Sequence, residues 1–252
     1  MKNAMCFLIT MICLLNIHDL PANTTPESTR VSYSQGDLLF NWASYLNLRD
    51  EPHQDAKILA MIPRGSVVTV APEQIESREF SITLVPDYTP AEDPYKIFRG
   101  EKLKGNWVKV EYEGLVGFVF DGYLSHLLPI KRDDKKSPGE VFRKYLIQNY
   151  KGSVLGRSES GEFYDERVIT PDDKLTYTHF YSYDCEVFEL NMGGVALQEA
   201  LMIMTKLFQV DGVSEREEGK YYLINKDDPE CQLIVEKTEK GSSISVWWCE
   251  GC

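Results

Sequence analysis

The sequence predicts a small all-β barrel followed by an α+β domain, which contains an antiparallel sheet and at least two helices. Two observations predict this arrangement. Residues 38–128 consist of short alternating apolar and polar runs that Gly, Pro and Asn/Asp turns separate, which is the pattern of half-buried strands. Residues 138–252 carry two segments with helical spacing among further alternating runs, and this mixture is typical of an α+β domain.

The first 22 residues have the pattern of a secretory signal peptide. Lys2 precedes the apolar run 4–15, and polar residues follow up to Ala22. A basic start, about a dozen apolar residues and a small residue at a polar boundary are typical of a signal, whereas a membrane span needs about 20 apolar residues. We predict cleavage after Ala22 and export to the periplasm or cell surface, without a stable membrane span. A lipoprotein anchor at Cys13 is the alternative to soluble export.

The charge of the chain limits its partners. The net charge is −12, and removal of Lys2 and Asp19 with the signal leaves it unchanged. No basic stripe is present that could neutralise phosphates, so the sequence argues against nucleic acid and anionic membranes as partners.

Residues 23–37 are polar without periodicity and predict a flexible lead-in. The charged stretch 129–137 predicts a linker between the two domains.

The barrel is predicted from five short strands. Alternation is clearest in the runs YLNLR, KILAMIP, SVVTVAP, NWVKVEY and LVGFVFDGYLS. Gly65 lies between the second and third runs, and Glu113-Gly114 supplies a tight turn between the last two. Five such strands close into a small barrel, which leaves little exposed edge.

Several motifs in this region resemble the bacterial SH3-like domain (SH3b). The run LNLR at 46–49, followed by Pro52, is similar to the opening strand and turn of that family. KILAMIPRGSVVTV is similar to its second and third strands, and WVKVEYEGLVGFVFDGYLS to its closing hairpin and final one-turn helix. The resemblance covers about residues 38–128. It implies a non-catalytic recognition module on an exported protein, often one that binds cell-wall peptides or other envelope ligands.

The resemblance also implies a shallow groove in which aromatic side chains grip an extended segment. Each candidate aromatic could instead belong to the core. The candidate ligand-binding residues are Tyr45, Trp107, Tyr112, Phe118 and Tyr123. Arg49 is predicted to donate hydrogen bonds that close the barrel rather than to contact a ligand. The segment 71–104 is much longer than the usual connection in the family, so it is either an extra hairpin or a loop that carries function. In either form it would cover or extend the groove.

The second domain is predicted to begin with a helix. Ser137 precedes Pro138, and Glu140 follows three residues after the serine, which is the capping-box pattern of a helix start. The Gly/Ser-rich stretch 152–163 predicts a loop. After Gly193-Gly194, the run VALQEALMIMTKLFQ is apolar on nearly all sides and predicts a buried helix.

The strands of this domain are predicted from alternation. Residues 174–190 alternate over most of their length and predict one long strand, or two strands with a bulge at VFEL. The tyrosine-rich face of this segment is expected to pack on the buried helix or, alternatively, to offer a partner surface. YYLIN, CQLIVEKT and SSISVWWC predict three closing strands, the last two joined as a hairpin around residues 239–241.

The cysteines that follow the signal predict disulfides. Cys185, Cys231, Cys249 and Cys252 are even in number in a chain predicted to be exported. The terminal C-x-x-C follows a strand instead of opening a helix, so it is interpreted as a staple of the C-terminus rather than a redox site. A three-residue hairpin loop would place Cys231 opposite Cys249 and leave Cys185 for Cys252, whereas a two-residue turn would place Cys231 opposite Glu250. The connectivity stays open.

No motif predicts catalysis, a cofactor or a metal site. The run SYDCEVF superficially resembles the nucleophile segment of papain-like cell-wall endopeptidases, but no His follows Cys185 in the chain. His179 lies on the same predicted strand, about 20 Å away.

The sequence predicts an exported, non-catalytic binding protein for a cell-wall peptide or an envelope protein. The alternatives are an envelope hydrolase or hydrolase inhibitor acting through the second domain, and a structural or assembly subunit. The oligomeric state stays open.

Overall fold

The structure is a computed structural model, and it is mostly antiparallel β-sheet with two helices among the residues that it describes. These residues are 33–72, 79–91, 93–131, 136–160, 163–182, 185–225 and 231–249. The predicted signal peptide, most of the predicted lead-in and Cys252 lie outside them. No helix within these ranges has both the length and the apolar character needed to cross a membrane.

The N-terminal sheet holds the first eight strands. They are β1 (Leu38–Asn41), β2 (Tyr45–Arg49), β3 (Ile58–Pro63), β4 (Val67–Val70), β5 (Glu79–Val85), β6 (Glu101–Tyr112), β7 (Leu115–Phe120) and β8 (Leu124–Ser125). A single 3-10 turn, Asp121–Tyr123, precedes β8. The strand order is β3-β2-β7-β6-β4-β1-β8, and β5 pairs with β6. The fully buried core side chains of this sheet include Leu39, Leu48, Ile62, Val68, Val110 and Val119.

The long segment 71–104 contributes an extra hairpin to this sheet. Glu79 lies opposite Asn106, and Val85 lies opposite Glu101. The first half of β6 therefore pairs with β5, while its second half pairs with β4 and β7. Of the two predicted forms of this segment, the hairpin is the one that the structure contains.

Two local features complete the sheet. Glu113 and Gly114 have φ values of 49° and 78° between β6 and β7, and a two-residue hairpin turn needs this left-handed backbone because it matches the twist of the strands. The predicted tight turn is thus confirmed. Trp42 is fully buried, and its indole Nε1 donates a hydrogen bond to the Leu127 carbonyl at 2.8 Å, which holds the start and the end of the sheet together.

The second sheet contains the remaining eight strands. They are β9 (Ser153–Ser160), β10 (Phe163–Ile169), β11 (Leu175–Ser182), β12 (Cys185–Gly193), β13 (Gly212–Glu217), β14 (Lys220–Ile224), β15 (Cys231–Thr238) and β16 (Gly241–Cys249). Their order is β13-β14-β15-β16-β12-β11-β10-β9. One face is buried and includes Tyr177, Leu190, Ile244 and Val235, which lie opposite one another across four strands.

Helix α1 (Pro138–Tyr150) begins as the sequence predicts. The Ser137 hydroxyl accepts a hydrogen bond from the Glu140 backbone N–H at 3.3 Å, and Pro138 occupies the first helical position. The helix ends at Lys151, whose φ of 55° is left-handed. Phe142 packs edge-on against Tyr177, with ring centroids 6.3 Å apart, so α1 covers the buried face of the second sheet.

One prediction for the second domain is wrong, and another is right only in part. The stretch 152–163, predicted as a loop, contains the eight-residue strand β9 and the start of β10. The segment 174–190, predicted as one long strand or as two strands with a bulge at VFEL, is two strands, β11 and β12, which form a hairpin with Ser182 opposite Cys185. The buried positions shift from odd-numbered residues such as Tyr177 to even-numbered ones such as Phe188, and the break at VFEL is the trace of this shift in the sequence; residues 183 and 184 lie outside the described residues.

Helix α2 (Leu197–Leu207) lies between the two sheets. It contacts β15 and β16 in the second sheet and β5, β6 and the 3-10 turn in the first. Its fully or almost fully buried side chains are Ala200, Leu201, Met202, Ile203, Met204 and Leu207. The prediction of a buried helix here is confirmed, and the reason is that both of its faces are covered.

Candidate ligand-binding surface

The five aromatic residues predicted to line a groove do not lie on one open surface. Tyr45 is 67 % exposed. Trp107 and Phe118 are buried, at 6 % and 7 % exposure. Tyr112 and Tyr123 are partly buried and pack against the core. A ligand on the surface therefore reaches Tyr45 directly, but it does not reach the rings of Trp107 and Phe118.

The burial of Trp107 results from the extra hairpin. Phe80 on β5 lies 5.8 Å from the Trp107 ring, and it meets Phe120 edge-on at 5.5 Å. The segment 71–104 therefore covers this part of the sheet with an aromatic cluster. In the groove that the resemblance implies, Trp107 would be open to a ligand; here it is core.

Tyr123 belongs to the contact with helix α2. Its ring meets Phe120 edge-on at 6.0 Å, and the Lys206 ammonium lies 4.9 Å from its centroid, an arrangement that stabilises the cation. Burial raises the pKa of the Tyr123 hydroxyl above its ordinary value. The ring is therefore engaged within the chain.

Tyr45 lies on the outer face of the β2–β3 hairpin, among other exposed side chains. Pro63 is directly opposite Tyr45, and Met61 is directly opposite Asn47. Met61 is 62 % exposed, whereas Leu46 between these positions is buried, as expected for side chains that alternate across a strand. We call the four residues Tyr45, Asn47, Met61 and Pro63 the hairpin surface.

Arg49, at the end of β2, donates a hydrogen bond from Nη1 to the Ala56 carbonyl at 2.6 Å. This bond fixes the loop between β2 and β3, so Arg49 donates a structural hydrogen bond as predicted, but to this loop and not across the closure of the barrel. Because this bond fixes the loop, the backbone under the hairpin surface is held both by the pairing of the sheet and by the β2–β3 loop. Rigid support reduces the ordering cost of binding.

Two carboxyl groups lie near the contact between the first sheet and α2. Burial raises the pKa of Glu199 to about 7, and hydrogen bonds from Ser125 and the Ala196 backbone partly offset this. Burial likewise raises the pKa of Asp121 to about 6, although its Oδ1 accepts from the Asn106 backbone N–H at 2.6 Å. Both groups therefore take up protons near neutral pH, and they do so inside the protein rather than in the hairpin surface.

Of the tyrosine-rich face that was expected to pack on the buried helix α2, Tyr177 packs instead against Phe142 of α1, and Tyr181 is 39 % exposed. His179 Nε2 lies 2.9 Å from Glu186 Oε1, and its ring lies 4.7 Å from Tyr164 and 4.6 Å from Phe188. Because Cys185 pairs with Ser182 and His179 pairs with Phe188, the histidine and the cysteine project from opposite faces of the sheet. The cysteine–histidine pair considered from the sequence is therefore not brought together.

The final hairpin adopts neither of the two registers considered from the sequence. Thr238 lies opposite Gly241, so the turn is Glu239-Lys240, and Cys231 lies opposite Trp248. Cys185 lies opposite Cys249, and directly opposed residues have Cα atoms about 4.5–5.5 Å apart, a separation that suits a disulfide. The predicted disulfides, which also involve Cys252, stay a prediction.

Within the described ranges, no group of three or more His, Cys, Asp or Glu side chains is arranged to hold a metal ion. The sequence analysis missed the three neighbours of Tyr45 in the hairpin surface. The signal that could have found them is the alternation in YLNLR and KILAMIP, since Leu46 and Ile62 on the buried side place Met61 and Pro63 on the other. What the sequence did not show was which aromatic rings the rest of the chain covers.

Residues 44–125 match the family model of the bacterial SH3 domain. The match runs from just before β2 to the end of β8 and includes the hairpin surface and the extra hairpin. Comparisons of the chain with curated proteins and with solved structures gave no match.

Proposed function

Because residues 44–125 match the bacterial SH3 domain, we propose that the protein is an exported, non-catalytic binding protein of the cell envelope. Its ligand is a cell-wall peptide, held on the hairpin surface. The observation that carries the proposal is the exposed Tyr45 ring beside Met61 within that domain. Domains of this family are binding modules, often for cell-wall components.

The chemistry of the hairpin surface suits a short extended peptide. Tyr45 offers a flat apolar ring with a polar hydroxyl, and Met61 offers a flexible, polarisable side chain. The amide of Asn47, which lies directly opposite Met61, can both donate to and accept from a peptide backbone. Aromatic side chains that grip an extended segment in this way are a recurring mode of peptide recognition.

The polar clusters elsewhere support a role without catalysis. His179 contacts Glu186, and both carboxylate oxygens of Glu166, almost fully buried, share one hydrogen bond from Arg143 Nε, at 3.2 and 3.1 Å. The first contact lies within the second sheet, and the second joins α1 to that sheet, so both serve the packing of this domain. Export rests on the apolar run near the N-terminus and on the association of such domains with the cell wall.

Co-sedimentation of the purified protein with isolated cell-wall material tests this proposal. Tyr45→Ala and Met61→Ala are each expected to weaken binding roughly tenfold, because an exposed anchor side chain contributes about 1–2 kcal/mol. Tyr95→Ala is the matched control: Tyr95 is 95 % exposed and lies outside the hairpin surface, so its loss should leave binding unchanged.

The outcomes separate the two parts of the proposal. Equal losses for Tyr45→Ala and Tyr95→Ala would show that the ligand binds elsewhere on the protein. If the unchanged protein does not sediment with cell-wall material at all, the envelope function itself is wrong.

A further inference from the structure

Strand β9 is the outermost strand of the second sheet. Among the described residues it pairs only with β10, and all eight of its residues, Ser153–Ser160, are exposed. The free side of an edge strand presents a row of backbone N–H and C=O groups that can pair with another strand. Val154 and Leu155 add apolar side chains that are 43 % and 59 % exposed.

The opposite edge of the same sheet is engaged within the chain. Arg216 on β13 forms an ion pair with Glu101 at 2.9 Å, and it donates hydrogen bonds to the carbonyls of Arg99 and Gly100. No comparable contact within the described ranges reaches the free side of β9. The strand contains neither Pro nor Lys, which are common devices against edge pairing.

We propose that β9 pairs antiparallel with β9 of a second copy of this chain, so that the sheet continues across a two-fold axis centred on Ser158. Charge complementarity within the strand supports this pairing. The proposal is independent of the peptide-binding function.

A two-fold axis perpendicular to a continuous sheet keeps each side chain on its own face. Directly opposed residues share a face, so the strand can only be centred on a residue, not between two. Centring on Arg157 would place two arginines opposite each other, and centring on Glu159 would place two glutamates opposite each other; like charges in this position are destabilising. Centring on Ser158 places Arg157 opposite Glu159 of the second copy, twice.

The side chains are arranged for this contact. Arg157 lies over the Tyr164 ring at 5.3 Å, and its Nη2 is 3.7 Å from Glu159 Oε2 of its own chain. Both charges therefore already lie on one face, where the second copy would present the same two charges in reverse order. The pairing of β9 with β10 is irregular between Val154 and Gly156. The five residues from Gly156 to Ser160 are regularly paired with β10, and their free side can pair with a second strand.

The interface is short, so the dimer is expected to be weak and concentration-dependent. Five residues from each copy would form the new ladder, which is far smaller than the contact area of stable dimers. Each exposed ion pair contributes little to the free energy of dimerisation. Whether the opposed charges are unlike or like nevertheless decides which register forms. The measurable consequence is a monomer–dimer equilibrium that charge reversal shifts.

Sedimentation velocity of the purified protein over a wide concentration range tests the proposal. The unchanged protein should show a concentration-dependent dimer. Arg157→Glu and Glu159→Arg should each need at least about tenfold more protein to dimerise, because each places like charges opposite each other. The double variant R157E/E159R should dimerise as the unchanged protein does, and an equimolar mixture of the two single variants should form a heterodimer.

A cross-link tests the register directly. Ser158→Cys should give a disulfide-linked dimer under mild oxidation, because position 158 lies opposite itself across the axis, where the Cα separation suits a disulfide. Ser160→Cys, on the same face, is the matched control and should not cross-link above the background of the unchanged protein.

The proposal is overturned if the unchanged protein stays monomeric over the whole range, or if the double variant behaves like the two single variants. It is also overturned if Ser158→Cys and Ser160→Cys cross-link equally. Far-ultraviolet circular dichroism of each variant confirms that its fold is intact.

Discussion

The two sheets of this molecule end in different ways. In the first sheet, Trp42 follows β1 and donates a hydrogen bond to the carbonyl of Leu127, which follows β8. Segments far apart in the sequence thus complete a single core. The second sheet is open, and its edges differ from each other: Arg216 ties β13 to the segment before β6, whereas β9 is exposed throughout. At the β13 edge, protection comes from contacts with residues far away in the sequence. Removal of those contacts should therefore expose this edge strand.

The largest effect is expected from Trp42→Ala in the first sheet. This change leaves a cavity in the core and removes the hydrogen bond to Leu127, and a buried Trp→Ala change costs about 3–5 kcal/mol. Chemical denaturation monitored by circular dichroism measures the loss.

Trp247→Ala is the matched control for that experiment. Trp247 is 40 % exposed on the face of the second sheet opposite to the buried one, and its loss should cost about 1 kcal/mol or less. Equal destabilisation of the two variants would contradict the contrast between the two sheets. In that contrast, long-range contacts complete the core of the first sheet, whereas Trp247 lies on an exposed face of the second.

An intermediate effect is expected from pH at the contact of α2 with the first sheet. The pKa of Glu199 is about 7 in the folded protein against an ordinary 4.5, so the folded state keeps a proton that the unfolded state has released between these values. The free energy of unfolding should therefore fall as pH rises from about 4.5 to 7, by up to about 3 kcal/mol. Asp121, with a pKa of about 6, adds a change of the same sign.

Denaturation of Glu199→Gln at several pH values isolates the contribution of Glu199. The variant should lose most of this dependence and be more stable than the unchanged protein at pH 8. Glu140→Gln, at an exposed position in the first turn of α1, is the control and should keep the original slope. An unchanged slope in Glu199→Gln would mean that its carboxyl is solvated in the folded state.

The smallest effect is expected from Arg216→Ala at the protected edge. Loss of its contacts with Gly100 and Glu101 should cost about 1 kcal/mol because the pair is partly exposed. Local opening then becomes roughly fivefold more frequent, and amide hydrogen exchange in Gly212–Glu217 should accelerate by that factor. Exchange in Ser153–Ser160 should not change; equal acceleration at both edges would contradict the separation between them.

The first sheet could be predicted from the sequence because its alternation and turns agree. In YLNLR and KILAMIP, apolar residues such as Leu46, Leu48 and Ile62 alternate inward, and turn residues follow the end of each run. The sequence does not decide between the extra hairpin and a loop, because β5 pairs with β6 residues that lie far along the chain, as Glu79 does with Asn106. Local pattern contains no information on that long-range contact.

In the second domain, local pattern misled for two physical reasons. Strand β9 buries no side chain, so SVLGRSES lacks the alternation that burial imposes, and its Gly and Ser residues favour a loop. The β11–β12 hairpin shifts the buried positions from odd-numbered to even-numbered residues, and the sequence shows this shift only as the break at VFEL, which a bulge would also produce. Helix α1 and helix α2 were predictable because a capping sequence and an all-round apolar run depend only on neighbours in the chain.

For the candidate site, the sequence identified Tyr45 but not its surroundings. Trp107 and Tyr45 have the same aromatic character and both occupy strands, yet Phe80 covers only the first. Which ring is covered depends on where the extra hairpin packs, and this is a tertiary property. The alternation of β2 and β3 is enough to place Met61 and Pro63 beside Tyr45 once their pairing is known.

Helix α2 has a consequence for how the protein folds. Its side chains are buried between the two sheets, so neither half of the chain can bury its share of apolar surface without the other. The two halves should therefore unfold in one cooperative transition, although the family match covers residues 44–125 alone. A fragment that ends after β8 would expose the apolar surface against which α2 packs, and its tendency to aggregate would reflect the missing helix rather than a failure of the domain to fold.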